Sequence, residues 1–215
     1  MLGRHRLVSQ RSGERIPAEV GSTSATSKAE DDQVADQPRR RRWRRRLLSV
    51  ALVIFIAVSA ATVRLFVWPA QGMPAHVSAI VMLNGPGDRL DVAEDLAWQH
   101  RASFLVVSRP TPYWGHGSVC APAIPHVKVI CFVPSPATTQ GEAEFLGRLA
   151  AKYHWTSVVL VTIKPQASRA RLRVERCFSG PVYVATASLP LSAWPYEIAY
   201  EWTATVKALI FQSSC

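Results

Sequence analysis

SVVLVTIKPQASRARLRVERCF, Ser157–Phe178, changes its period half-way along. Val158, Val159, Leu160 and Val161 are apolar without a break, as in a strand buried on both faces. Pro165 then suits a first helical turn. Beyond it Ala167, Ala170, Val174 and Phe178 recur at helical spacing. A doubly buried strand running straight into a helix is one unit of a parallel sheet covered by helices.

The same unit repeats outward in both directions. Short apolar runs stand at VSAIVMLN (77–84), SFLVVS (103–108), VKVICFV (127–133) and PVYVAT (181–186). Between them lie helical patterns: Leu90, Ala93, Leu96 and Ala97 on one face, and then Thr139–Tyr153 with Ala143, Leu146, Ala150 and Tyr153 in phase. A last helix is predicted from Pro195 to Phe211, with Ile198, Trp202, Val206 and Leu209 inward. Residues 109–126, rich in Pro and Gly, read as a long loop. The expectation is an α/β three-layer sandwich with a mostly parallel sheet of about five strands. In such sheets ligands bind at the carboxyl ends of the strands, near a switch in strand order.

The 215 residues leave room for more than this domain. The formal net charge is +10, but residues 1–46 hold 12 Arg/Lys against 6 Asp/Glu and residues 69–215 hold 12 against 9. The surplus is concentrated in RRRRWRRR, a basic juxtamembrane tract at 39–46. LLSVALVIFIAVSAATV (47–63) follows, without charge, Pro or Gly. Extended to Trp68, with Arg64 snorkelling to the headgroups, it covers about 33 Å, a full bilayer core. A transmembrane helix is therefore expected at 47–68, bracketed by Trp43 and Trp68. The arginines on its N-terminal side place the N-terminus in the cytoplasm and the α/β domain (77–215) outside the plasma membrane. VSA at 58–60 has the look of a signal-peptide cleavage site, but the apolar run is longer than a usual signal core. Beside this span the basic tract is a topology signal and an anionic-lipid contact, so no nucleic-acid partner is expected. Residues 1–38 hold few large apolar side chains and read as a disordered tail; 69–76 reads as a Pro/Gly spacer.

All four cysteines, Cys120, Cys131, Cys177 and Cys215, follow the span. An even number on the oxidising side suggests disulfides. Of three pairings, proximity favours Cys120–Cys131, which leaves Cys177–Cys215. No ligand spacing suits a metal.

At the strand ends, three segments carry candidate chemistry. In NGPGDR (84–89) Gly85 and Gly87 let backbone N–H groups approach an anion, with Arg89 beside them; a plain turn with Asp88 as N-cap and Asp91 at N3 reads equally well. In ATTQGE (137–142), Thr139-x-x-Glu142 fits a capping box, at a helix start that faces the ligand cleft. In the segment quoted first, Arg169, Arg173 and Arg176 share one helical face. They form either a solvated basic face or, through Arg169, a bidentate anion contact.

These pieces in this order resemble the YdcF/SanA/ElyC family over Ser78–Ile210. The resemblance lies in AIVMLNGPGDRLDVAEDLA, TTQGEAEFLGRLA, VVLVTIKPQASRARL and EWTATVKALI. It implies a Rossmann-like domain, often a single-pass envelope protein, whose polar set falls on Gly85, Gly87, Arg89, Thr138, Thr139, Glu142, Thr162 and Arg169. Asn84 stands where the family has Gly, Ile163 where it has Ser, and Gln166 where it has His. Gln cannot act as a base at neutral pH, so Gln166 is expected to contact the ligand without serving as a base. A methyl-donor ligand and polyprenyl-phosphate or peptidoglycan-precursor metabolism are both associated with the family; an exported domain suits the second. The expected function is binding of an anionic, phosphorylated or glycan-linked envelope intermediate, with hydrolase or transferase activity through Glu142 as orienter or base. The rival is a non-catalytic scaffold that recruits wall-synthesis enzymes. No cofactor is identified.

Overall fold

The computed structural model describes residues 24–108, 120 and 124–215. Residues 1–23 of the expected tail and most of the expected loop at 109–126 lie outside the described residues. Helix α1 (Ser24–Thr62) runs into a π-helical turn at Val63–Val67. It begins inside the stretch expected to be disordered. Residues 24–38 include good helix formers, and a helix already nucleated by the apolar stretch propagates at little cost. Within it, Arg41–Val67 is long and apolar enough to cross a membrane, with a mean hydropathy of 2.5 in its most apolar window.

Five strands follow: β1 (Val77–Met82), β2 (Ala102–Ser108), β3 (Lys128–Phe132), β4 (Val158–Ile163) and β5 (Val182–Ala187). They form one sheet in the order β3-β2-β1-β4-β5, and every pairing is parallel. Val81 at the centre pairs with Val106 on one side and Leu160 on the other. The helices are α2 (Arg89–Trp98), α3 (Thr139–Tyr153), α4 (Lys164–Cys177) and α5 (Trp194–Ile210). Because strand side chains alternate, the core has two halves. Val81, Leu83 and Leu160 pack with Leu146, Ala170 and Val174 of α3 and α4. Ile80, Met82 and Val161 pack with Ala93 and Ala97 of α2. This is the expected α/β sandwich. The direction of connection reverses between β1 and β4, which sets a crevice at their carboxyl ends.

Both disulfides join the pairs that proximity favoured, Cys120–Cys131 and Cys177–Cys215. The spacer does not hang free. Gly72 N–H donates to the Val184 carbonyl of β5 at 3.3 Å, and the Thr186 hydroxyl reaches Gln71 at 3.0 Å.

Helix α5 overturns one expectation. Its inward residues are Glu201, Thr205 and Ala208, while Val206 and Leu209 are exposed and Ile198 and Trp202 half-buried. The cause lies on α4. Arg169 pairs with Glu201, Arg173 with Gln212, and Arg176 with the carbonyls of Ala208 and Gln212. The arginine row is not a solvated face. It is the surface on which α5 and the C-terminal tail lie, so α5 turns its polar side inward.

Candidate functional site

The site forms where β1, β4 and the starts of α3 and α4 meet, with α5 as its outer wall. A cavity of about 420 Å³ opens there, and Asn84, Gly85, Thr138, Thr139, Glu142, Gln166 and Arg169 all line it. Seven residues from three separate segments thus converge at the strand ends. Six of them are among the site residues expected from the sequence, and the seventh is Asn84, which stands where the resembling family has Gly.

Glu142 decides how the α3 start is read. The N-cap is Thr138, whose hydroxyl accepts from Gly141 N–H. Thr139 is the first helical residue, one position later than a capping box requires, so no box forms. The Glu142 carboxylate crosses to β1 and accepts the Asn84 N–H at 2.8 Å. It is only 3 % exposed. Burial pushes its carboxyl above the usual carboxylate range, against the opposing pull of Ser108, the Asn84 N–H, Arg89 and Arg169.

A polar chain runs beside it through the interior. Thr162 donates to Gln166 Oε1 at 2.9 Å, and Gln166 Nε2 donates to the Thr139 hydroxyl at 3.3 Å. Arg169 Nη1 donates to the same hydroxyl at 3.0 Å. Its Nε and Nη2 then grip Glu201 at 2.6 and 2.7 Å, a bidentate pair buried on both sides. Burial is the largest influence and pulls the guanidinium down, but the Glu201 bonds together with the charges of Glu201, Tyr200 and Glu142 offset it and hold the group above its ordinary value. The expected free fork for an anion is therefore already filled by a carboxylate of the protein.

Arg89 departs from expectation more fully. It folds under its own turn, with Nε on the Pro86 carbonyl at 2.7 Å and Nη1 on Leu83 and Asn84 at 3.1 and 2.8 Å. Burial lowers its pKa to about 10. Gly85, at φ +144°, leaves the room: a Cβ there would lie 2.5 Å from Arg89 Nη2. Gly87 gives way to the Ser188 carbonyl instead of facing the cavity. Asp88 sits at the N-cap position without capping. Its carboxylate accepts from the Ser188 hydroxyl and N–H at 2.7 and 2.6 Å, and these bonds hold it below the usual carboxylate range. The turn is thus a braced structural element, and Gly87, Arg89 and Thr162 support the cavity from outside its lining.

Sequence reasoning missed the α5 wall. Glu201, 1 % exposed, Glu197, Tyr196, Tyr200 and Lys207 also line the cavity. The Tyr196 and Tyr200 rings are stacked at 6.3 Å and 15°, both exposed. Arg169 lies 5.9 Å from the Tyr200 centroid. Burial raises the Glu197 carboxyl, and neighbouring Glu201 adds to it. The available signal was Glu201, Thr205 and Ala208 at helical spacing opposite an arginine row of the same period.

Among the described residues no His/Cys/Asp/Glu cluster could hold a metal. No family model, curated protein or solved structure matches the chain.

Proposed function

We propose that residues 47–68 anchor the chain in the plasma membrane with the α/β domain on the outer side. The domain would be a YdcF-like binding module for the hydroxyl-rich part of a glycan-linked envelope intermediate. The carrying observation is the buried chain Thr162–Gln166–Thr139–Arg169–Glu201. Its cation is neutralised and its amide is engaged at both ends. A phosphate would have to evict Glu201 from a buried pair, which leaves an uncompensated charge. Sugar hydroxyls need no such exchange. They can donate to Glu197 and accept from Lys207, and a ring can lie on Tyr200. The anchor draws support from the apolar helix, the arginines before it and the two disulfides after it.

Thermal shift of the full chain in detergent micelles tests the ligand class. A muropeptide disaccharide should raise Tm saturably, and Tyr200→Ala should abolish the rise. A response to phosphate esters alone, strengthened when Glu201→Gln frees the fork, would replace this reading with the anionic one. Topology is tested separately: protease added outside intact cells should digest the domain and spare the tail. The opposite pattern refutes the orientation.

A second reading, hydrolase or transferase, rests on Glu142, a carboxyl held above its usual range at the cavity wall. Such a group is a proton donor. Product released from the disaccharide by the native chain and not by Glu142→Gln would establish it.

A further inference from the structure

The outward side of α5 is an apolar face with nothing over it among the described residues. Val206 is 44 %, Leu209 54 %, Ile210 64 % and Phe211 77 % exposed. With Trp202 and the stem of Lys207, Val206 and Phe211 line a shallow groove whose walls are almost wholly apolar. This is more contiguous apolar surface than scattered exposed residues explain.

One end of the face is fixed to the apolar helix. Trp202 Nε1–H donates to the Thr62 hydroxyl at 3.1 Å, and its ring meets Phe66 edge-on at 5.3 Å. Phe66 is fully buried, and the Ser168 hydroxyl of α4 donates to the Leu65 carbonyl at 2.7 Å. The segment after the helix is held along β5 by Gly72 and Gln71. The domain therefore has no free tether on which to swing away from the helix end. Trp202 stands level with Thr62–Phe66, in the last turns of the candidate span. Phe211 lies nine residues further along α5, about 14 Å at helical rise.

We propose that the Trp202–Phe211 face of α5 is a membrane-contact surface, seated in the outer leaflet beside the span. The inference rests on the anchor reading above. If Arg41–Val67 crosses the bilayer, the contacts of Trp202 with Thr62 and Phe66 bring this face to the interfacial zone. Its composition suits that zone: a tryptophan at the boundary, aliphatic and phenyl groups to enter the acyl edge, and Lys207 to reach a lipid phosphate. The cavity wall is the other side of the same helix, and Lys207 borders both. The ligand site then opens close to the lipid surface.

The test uses the full chain reconstituted in vesicles of phosphatidylethanolamine and phosphatidylglycerol. The photoreactive residue p-benzoylphenylalanine is introduced singly as Val206→Bpa, Phe211→Bpa, Asp95→Bpa on exposed α2, and Phe55→Bpa within the apolar helix. Both α5 positions are exposed, and retention of both disulfides on a non-reducing gel confirms folding of each variant. The expected result is lipid adducts by mass at positions 55, 206 and 211, with none at 95. Adducts at 55 without adducts at 206 and 211 would overturn the proposal. So would a crosslinked dimer, which would make the face an interface between copies. Absence of lipid at 55 as well would overturn the anchor reading, and this inference would fall with it.

Discussion

Glu142 shows how one carboxylate can stabilise and constrain at once. In the folded chain burial raises it above its unfolded value. The folded state then keeps a proton that the unfolded chain has released. Its contribution to stability is full below the unfolded pKa and is lost as pH rises through the folded one. Glu142→Gln keeps an acceptor for Asn84 N–H and has no charge to develop. The Tm of the native chain relative to this variant should therefore fall as pH rises above the ordinary carboxylate range; a pH-independent gap would mean the carboxyl is not buried as described. Glu201 makes the opposite case, since its charge is required. Glu201→Gln breaks a bidentate pair and strands Arg169 in the interior, a loss of about 3–5 kcal/mol. Glu175→Gln removes the exposed pair with Arg171, 2.7 Å apart, and should cost less than about 0.5 kcal/mol. Urea denaturation of both variants gives the ratio. The inner lining was legible because it occupies strand ends and helix starts, where spacing carries the information. Glu201 was not, because its partner lies 32 residues away and only the packing of α5 on α4 brings them together.

The strands and helices of the domain were readable to within a residue or two, since uniform apolar runs and the 3.6 period leave few alternatives. Two element-level features were not. The apolar residues of α5 are in phase with each other, so periodicity assigned them to the core; the arginine row of α4 drew the polar side in instead. At α3 two consecutive threonines offered two helix starts, and the cap fell on Thr138. The reason is visible at Gly141. A Cβ there would run into the carbonyl oxygen of Pro136, so the incoming chain is folded tightly over the first turn, where Thr138 N–H also donates to Pro136 at 2.7 Å. Helix propensity alone says Gly141→Ala should gain about 1 kcal/mol. The close backbone approach says it should lose about 1–3 kcal/mol, as overpacked sites do. A lower urea midpoint for the variant supports the tight turn. A higher one would show that the α3 start shifts freely, and with it Thr139 and Glu142.

At the scale of the whole chain, the two disulfides do different work. Cys120–Cys131 spans 11 residues and ties the connection after β2 to β3. Cys177–Cys215 spans 38, closing β5 and α5 into one loop that starts at the end of α4. Unfolded-chain entropy alone gives about 3 kcal/mol for the first and about 4 kcal/mol for the second. The larger loop also holds the tail where Gln212 covers Arg173 and Arg176 and keeps the α5 wall closed over the cavity. Removing it should therefore cost more than loop entropy predicts, because two arginines lose their partners. The pair Cys177→Ser/Cys215→Ser should lower the urea midpoint well beyond Cys120→Ser/Cys131→Ser, and ligand-induced rises in Tm should shrink only in the former. Equal losses from the two pairs would mean that the tail and the arginine row are independent of the bridge. The α5 wall would then be held by the arginine row and Trp202 without help from the bridge, and reduction of the second disulfide would leave the cavity unchanged.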